Sequence, residues 1–99
     1  TLRQEIGRID TQIEGLRRQR EDRDQRASET RRSLEAIKKD GAAGALRAKL
    51  NKRLEEFTSD ADRIGREVVE LQSKRLEKKI ELEDLLQDLD LRPSQPAKP

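Results

Sequence analysis

The chain has 99 residues, of which 30% are hydrophobic and 44% charged, with Phe57 as its single aromatic. Globular domains carry about 45–50% apolar residues, so a compact globule with a filled core is excluded. Lysine and arginine number 23 against 21 acids, a formal net charge of +2; this balance differs from the one-sided charge of a typical nucleic-acid binder.

The residue types present also narrow the chemistry. Neither cysteine nor histidine occurs, which removes disulfides, thiolates and the commonest general base and metal ligand. No catalytic, metal-binding or cofactor-binding residues are assigned, and no cofactor is expected. No apolar run approaches the ~18 residues of a membrane span, and no signal-peptide core is present. The chain is therefore expected to be soluble and cytoplasmic, with no membrane partner. Composition dominated by Ala, Glu, Lys, Leu and Arg favours long helices if the hydrophobic period is right.

In the first third the apolar residues are Leu2, Ile6, Ile9, Ile13 and Leu16, spaced alternately by four and three. The same steps continue through Arg20, Arg23, Ala27, Thr30, Leu34 and Ile37. A sustained 3.5-residue repeat predicts a left-handed coiled coil. In heptad letters Ile6, Ile13, Arg20, Ala27 and Leu34 occupy a, and Ile9, Leu16, Arg23, Thr30 and Ile37 occupy d. Thr1 suits an N-cap. The stretch "GLRRQREDRDQRAS" packs five arginines into Gly15–Ser28. It has the composition of a phosphate grip, but the heptad count moves Arg20 and Arg23 onto the seam.

"KKDGAAGAL" then breaks the repeat. Lys38 and Lys39 favour a helix C-terminus, where carbonyl dipoles attract cations. Gly41 is expected to take a left-handed cap conformation, and Gly41 and Gly44 to bound a short turn between antiparallel neighbours. The second seam is Leu50, Leu54, Phe57, Ala61, Ile64, Val68, Leu71, Arg75, Lys78, Leu82, Leu85 and Leu89. Ser59 and Asp62 have capping-box spacing, yet the heptad phase runs through them, so one long helix is preferred. "RPSQPAKP" predicts a Pro-rich disordered tail.

The fold expected is all-α: an antiparallel helical hairpin, or two-stranded coiled coil, associating into a larger helical bundle. Its domain spans 1–91, with a helix over 1–39, a turn over 40–44 and a helix over 45–91, followed by the tail 92–99. Folding about the turn pairs positions whose numbers sum to about 84, such as Leu16 with Val68 and Ala27 with Phe57. Exposed faces carry acid-before-base pairs four apart: Glu14–Arg18, Asp22–Arg26, Glu35–Lys39, Asp62–Arg66 and Glu70–Lys74. Each contributes about 0.3 kcal/mol.

Two features point to partners. Helix 1 runs out at Leu2, opposite Leu82, so Leu85, Leu86, Leu89 and Leu91 lie beyond it beside acidic residues; exposed leucine patches mark interfaces. Val69, Leu76 and Ile80 form an off-seam stripe that a third or fourth helix would cover. Scattered surface apolar residues are the plain alternative. The function expected is a non-enzymatic interaction module (scaffold, assembly factor, adaptor or secretion-type chaperone) that packs on a helical partner or on itself as a homodimer. Arg20, Arg23, Arg75 and Lys78 are its polar seam, which sets register and partner.

Three other readings compete. Nucleic-acid binding through residues 17–32 is disfavoured, because Glu21, Asp22 and Asp24 interrupt the arginines and no aromatic is available for stacking. "LEDLLQDL", Leu82 to Leu89, resembles the LD motif of paxillin-type adaptors, with Glu83 where that motif usually has Asp. The resemblance implies docking into a groove of a helical bundle. "LRQEIGRIDTQIEGLRRQR" resembles the first helix of the small all-helical chorismate mutases, which would make Arg3 and Arg20 substrate-binding. The chain departs from that pattern at Arg17 and Arg18, where the family continues with leucine, and the later helices do not match the rest of that site.

Overall fold

The computed structural model describes residues 1–90 as two helices, α1 (Leu2–Ile37) and α2 (Gly44–Asp90), with no cis peptide among them. They pack side by side as an antiparallel hairpin, 17 × 15 Å across its two shorter principal axes. Leu91 and the Pro-rich segment 92–99 lie outside the described residues.

α1 starts where the sequence supplies a cap. The Thr1 hydroxyl accepts from the Gln4 backbone N–H at 3.2 Å, while the Gln4 side chain reaches back to the Thr1 nitrogen, a reciprocal capping box. α1 ends at Ile37, before Lys38 and Lys39, and α2 begins at Gly44 rather than Ala45. α2 runs unbroken past Ser59. Thr58 returns its hydroxyl to the Leu54 carbonyl at 3.0 Å instead of opening the helix.

The turn works differently from the glycine cap expected of the sequence. No glycine has a positive φ, and α1 ends at Lys38 in right-handed geometry, φ −60° and ψ −27°. The end is closed by hydrogen bonds to its carbonyls. Asp40 N–H donates to Ile37 O at 3.0 Å and Ala43 N–H to Asp40 O at 3.2 Å. Arg47, from the first turn of α2, donates its guanidinium to Ile37 O at 3.2 Å and also to Asp40 O. A side chain of the returning helix thus satisfies carbonyls that a left-handed glycine motif would otherwise serve.

Between the helices lies a single seam. Ile9, Ile13, Ala27, Thr30, Ala61, Ile64 and Val68 are buried, and Ile64 is the largest fully buried side chain. Ile9, Ile13 and Val68 form the apolar cluster, with Leu16 and Leu71 packed against it. The seam reaches back to the turn through half-buried Arg47 and buried Ala43, which continue the four-three spacing. Cross-helix ion pairs fix the register independently. Arg23 meets Asp60, Arg75 meets Asp10 and Lys78 meets Glu5, so the position sums are 83, 85 and 83. No described helix is long and apolar enough to cross a membrane.

Two substitutions separate seam from turn. Ile64→Ala should cost about 2–4 kcal/mol in urea unfolding, by lost burial plus a residual cavity. At Gly41 a Cβ would meet nothing within 4 Å and φ is not positive. Gly41→Ala should therefore leave stability unchanged or raise it by about 0.4–1 kcal/mol through the unfolded state; a fall in Tm would restore the glycine-cap account.

Candidate functional site: the open face and free end of α2

The polar seam residues divide by where their charges go. Arg23 is half-buried and bonds Asp22 on its own helix, and Asp60 across the hairpin at 3.5 Å. Arg75 and Lys78, also half-buried, reach Asp10 and Glu5; the Lys78–Glu5 separation is 3.3 Å. Each acid flanks the opposing seam, so the long cationic stems pack inside while the heads reach partly solvated carboxylates. Because all three pairs are partly exposed, each adds at most about 1 kcal/mol and acts chiefly on register.

Arg20 behaves otherwise. It is exposed although it holds an a position. Its guanidinium lies over Gly65 of α2: a Cβ built there would stand 3.0 Å from Nη1 and 3.1 Å from Cζ. The missing side chain at Gly65 is what gives Arg20 room. Arg20, Asp62, Gly65, Arg66, Val69 and Glu70 line an open groove of about 530 Å³. Next along the hairpin, Asp10, Ile13, Arg17, Gln72, Arg75 and Leu76 line a groove of about 430 Å³. The second repeats the first one heptad on: Gln72 follows Gly65, Leu76 follows Val69, and Ile13 precedes Arg20, each by seven residues. Both grooves mix acids with bases, unlike a dedicated anion site. Arg3, the other arginine implied by the chorismate-mutase resemblance, is exposed near the start of α1.

The other arginines of "GLRRQREDRDQRAS" mostly face water. Arg18 lies 4.0 Å from Glu14, and Arg26 donates to Asp22 at 3.1 Å. Glu35 bonds Lys38, three residues on, instead of Lys39. Arg63 bonds Glu67 at 3.0 Å; its base-before-acid order keeps it out of the acid-before-base series that the sequence displays.

The apolar residues singled out on α2 are exposed as a set. Val69 is 60% exposed, Leu76 55%, Ile80 49%, Leu85 51%, Leu86 41% and Leu89 49%. Leu82, opposite Leu2, is half-buried and marks where α1 stops covering α2. Beyond it, residues 83–90 continue as helix with no partner in the hairpin. Leu46, 48% exposed near the turn, is a further apolar surface residue, isolated from the others. Gly41 is exposed in the turn, and Gly44 is the first residue of α2. No protein-family model, curated protein or solved structure matches the chain.

Arg20 forms no ion pair among the described residues, so replacing it should uncover no carboxylate. Arg20→Leu should raise stability by about 1–2 kcal/mol in denaturant unfolding by adding apolar burial at an a position. An equal loss would show that the guanidinium over Gly65 stabilises the hairpin.

Proposed function

We propose that the chain is a non-enzymatic coiled-coil interaction module that captures helical partners with the free end of α2. The observation that carries this reading is the extension of α2 past α1, where Leu85 and Leu89 stand about half exposed on a regular helix. A seam that continues after its partner helix ends offers a ready surface for another helix, because apolar knobs at a and d positions pack into holes on any helix of matching period. Glu83, Asp84 and Asp88 beside these leucines would favour helices with basic flanks. Scaffold, adaptor, assembly-factor and chaperone roles all use this one contact. A cytoplasmic setting is part of the proposal.

The nucleic-acid alternative has less support. Arg18, Arg23 and Arg26 have carboxylates within 4 Å, and phosphate neutralisation needs free cationic charge.

Leu85→Asp combined with Leu89→Asp should abolish capture of helical partners while circular dichroism and Tm of the hairpin stay near wild type. Partners are read by comparing proteins retained on immobilised wild-type and variant chains, followed by direct binding of each with purified components. Retention of the same partners by both chains would refute the reading. Duplex DNA or RNA binding that falls steeply with salt would favour the alternative.

A further inference from the structure

We infer that the Val69–Leu76–Ile80 face of α2 is a self-recognition surface, on which a second copy of this chain packs antiparallel about a two-fold axis at Leu76. This rests on the interaction-module reading and assigns it a second surface, distinct from the leucines at a and d of the free end.

The face has its own heptad logic. Counting from Val68 at a and Leu71 at d, Val69 and Leu76 fall at b, Ile80 at f, and Gly65 and Leu86 at e. These three positions are contiguous on a helix and lie to one side of the hairpin seam. Val69, Leu76, Ile80 and Leu86 are the apolar residues there, and all four are at least 41% exposed. The face borders both grooves, so it offers two depressions one heptad apart.

Its residues are arranged for antiparallel self-pairing. Arg66 and Leu86 each lie ten residues from Leu76, and Val69 and Glu83 each lie seven from it. A two-fold axis at Leu76 sets Leu76 on Leu76 and brings Leu86 of one copy to Arg66 of the other. That is beside Gly65 and the Arg20 guanidinium that lies over it, at the edge of the first groove. The same operation puts Glu83 of one copy against Val69 of the other, one turn from Arg66, so each end of the face meets opposite charge. A parallel pairing would instead set Arg66 on Arg66 and Glu83 on Glu83. The axis at Leu76 lays residues 81–90, with five acids and no base, along residues 62–71, where Arg63 and Arg66 stand among Asp62, Glu67 and Glu70; the attraction across the contact is therefore the local one between Glu83 and Arg66. The contact is isologous and closes as a dimer, leaving Leu85 and Leu89 on another side of the helix.

The test is solution mass by sedimentation equilibrium across a dilution series. The wild-type chain should be a dimer. Leu76→Asp should give half that mass with unchanged helicity, since Leu76 is 55% exposed and outside the hairpin seam. Arg66→Glu should weaken the dimer at least tenfold, and adding Glu83→Arg should restore it. Leu89→Asp should leave it intact. Because the chain has no cysteine, Leu76→Cys gives a single thiol that should be joined to its counterpart by a short bismaleimide, whereas Arg66→Cys should not self-link. A monomeric wild type overturns the inference, as does a dimer that survives Leu76→Asp. Neither result touches partner capture through Leu85 and Leu89, whose loss is read separately with the Leu85→Asp, Leu89→Asp variant.

Discussion

The hairpin depends on a seam with too few apolar side chains to be continuous. Ile9, Ile13, Leu16, Val68 and Leu71 make one dry segment, and Ala27, Ala61 and Ile64 are buried nearer the middle. Between and beyond them the a and d positions go to Arg20, Arg23, Arg75 and Lys78. A cation at such a position cannot be buried alone, because desolvating it costs several kcal/mol. The hairpin answers each one locally. Arg23, Arg75 and Lys78 extend to carboxylates on the opposite helix, and Arg20 leaves the seam across a glycine. None of these solutions adds much stability, but each disfavours a slip. Moving α2 by one heptad would separate Asp60, Asp10 and Glu5 from their cations and would set seam cations against apolar residues, Ile13 on Lys78 and Leu16 on Arg75 in one direction, Arg20 on Phe57 and Arg23 on Leu54 in the other.

This division explains what the sequence reveals and what it hides. The four-three spacing depends on residue type alone, so both helices are legible in the order of residues, and the short turn between them adds their antiparallel order and the sum-84 register. The break between the helices is also legible, since the heptad phase stops at Lys38. The way the break is closed is not. Gly41 looks like a left-handed cap because glycine usually serves that purpose, yet the Ile37 carbonyl at the end of α1 is met by Arg47, ten positions downstream of it, whose length and reach leave no trace in periodicity. Arg47 and Ala43 do carry a sequence signal, since they extend the second seam backwards in phase. A seam counted from Leu50, its first large apolar residue, passes over them because one is charged and the other small. Gly65 is the opposite case. Its part in seating Arg20 is a relation between two helices, and a glycine within a helical run reads only as a weak point.

The two helices differ in length, 36 residues against 47. The turn sets Ile37 near Ala43 and so forces the excess of α2 to the far end of the hairpin. Hydrophobic patterning continues there without interruption, through Leu82, Leu85 and Leu89. That persistence matters, because a solvent helix with no tertiary role has no need of apolar residues at a and d. The acidic residues between the leucines keep the segment soluble and also set the charge of what could cover it.

Helices of this length draw most of their stability from packing, and short helical pieces without it are marginal in water. Residues 2–82 are secured by the seam. Residues 83–90 have only their continuity with it, local propensity and contacts along their own helix. Of all the described chain, this end gains most from an added contact, since burying the half-exposed Leu85 and Leu89 recovers about 1 kcal/mol each. The Val69–Leu76–Ile80 face differs: its backbone is already ordered by the seam on the other side of α2, so a second copy would bind a rigid surface at low entropic cost. A rigid self-recognition face and a free end that stiffens on binding would make the dimer hold a partner that presents two linked helices more tightly than the monomer does, because the second helix then binds its acidic-leucine end intramolecularly, at a raised effective concentration.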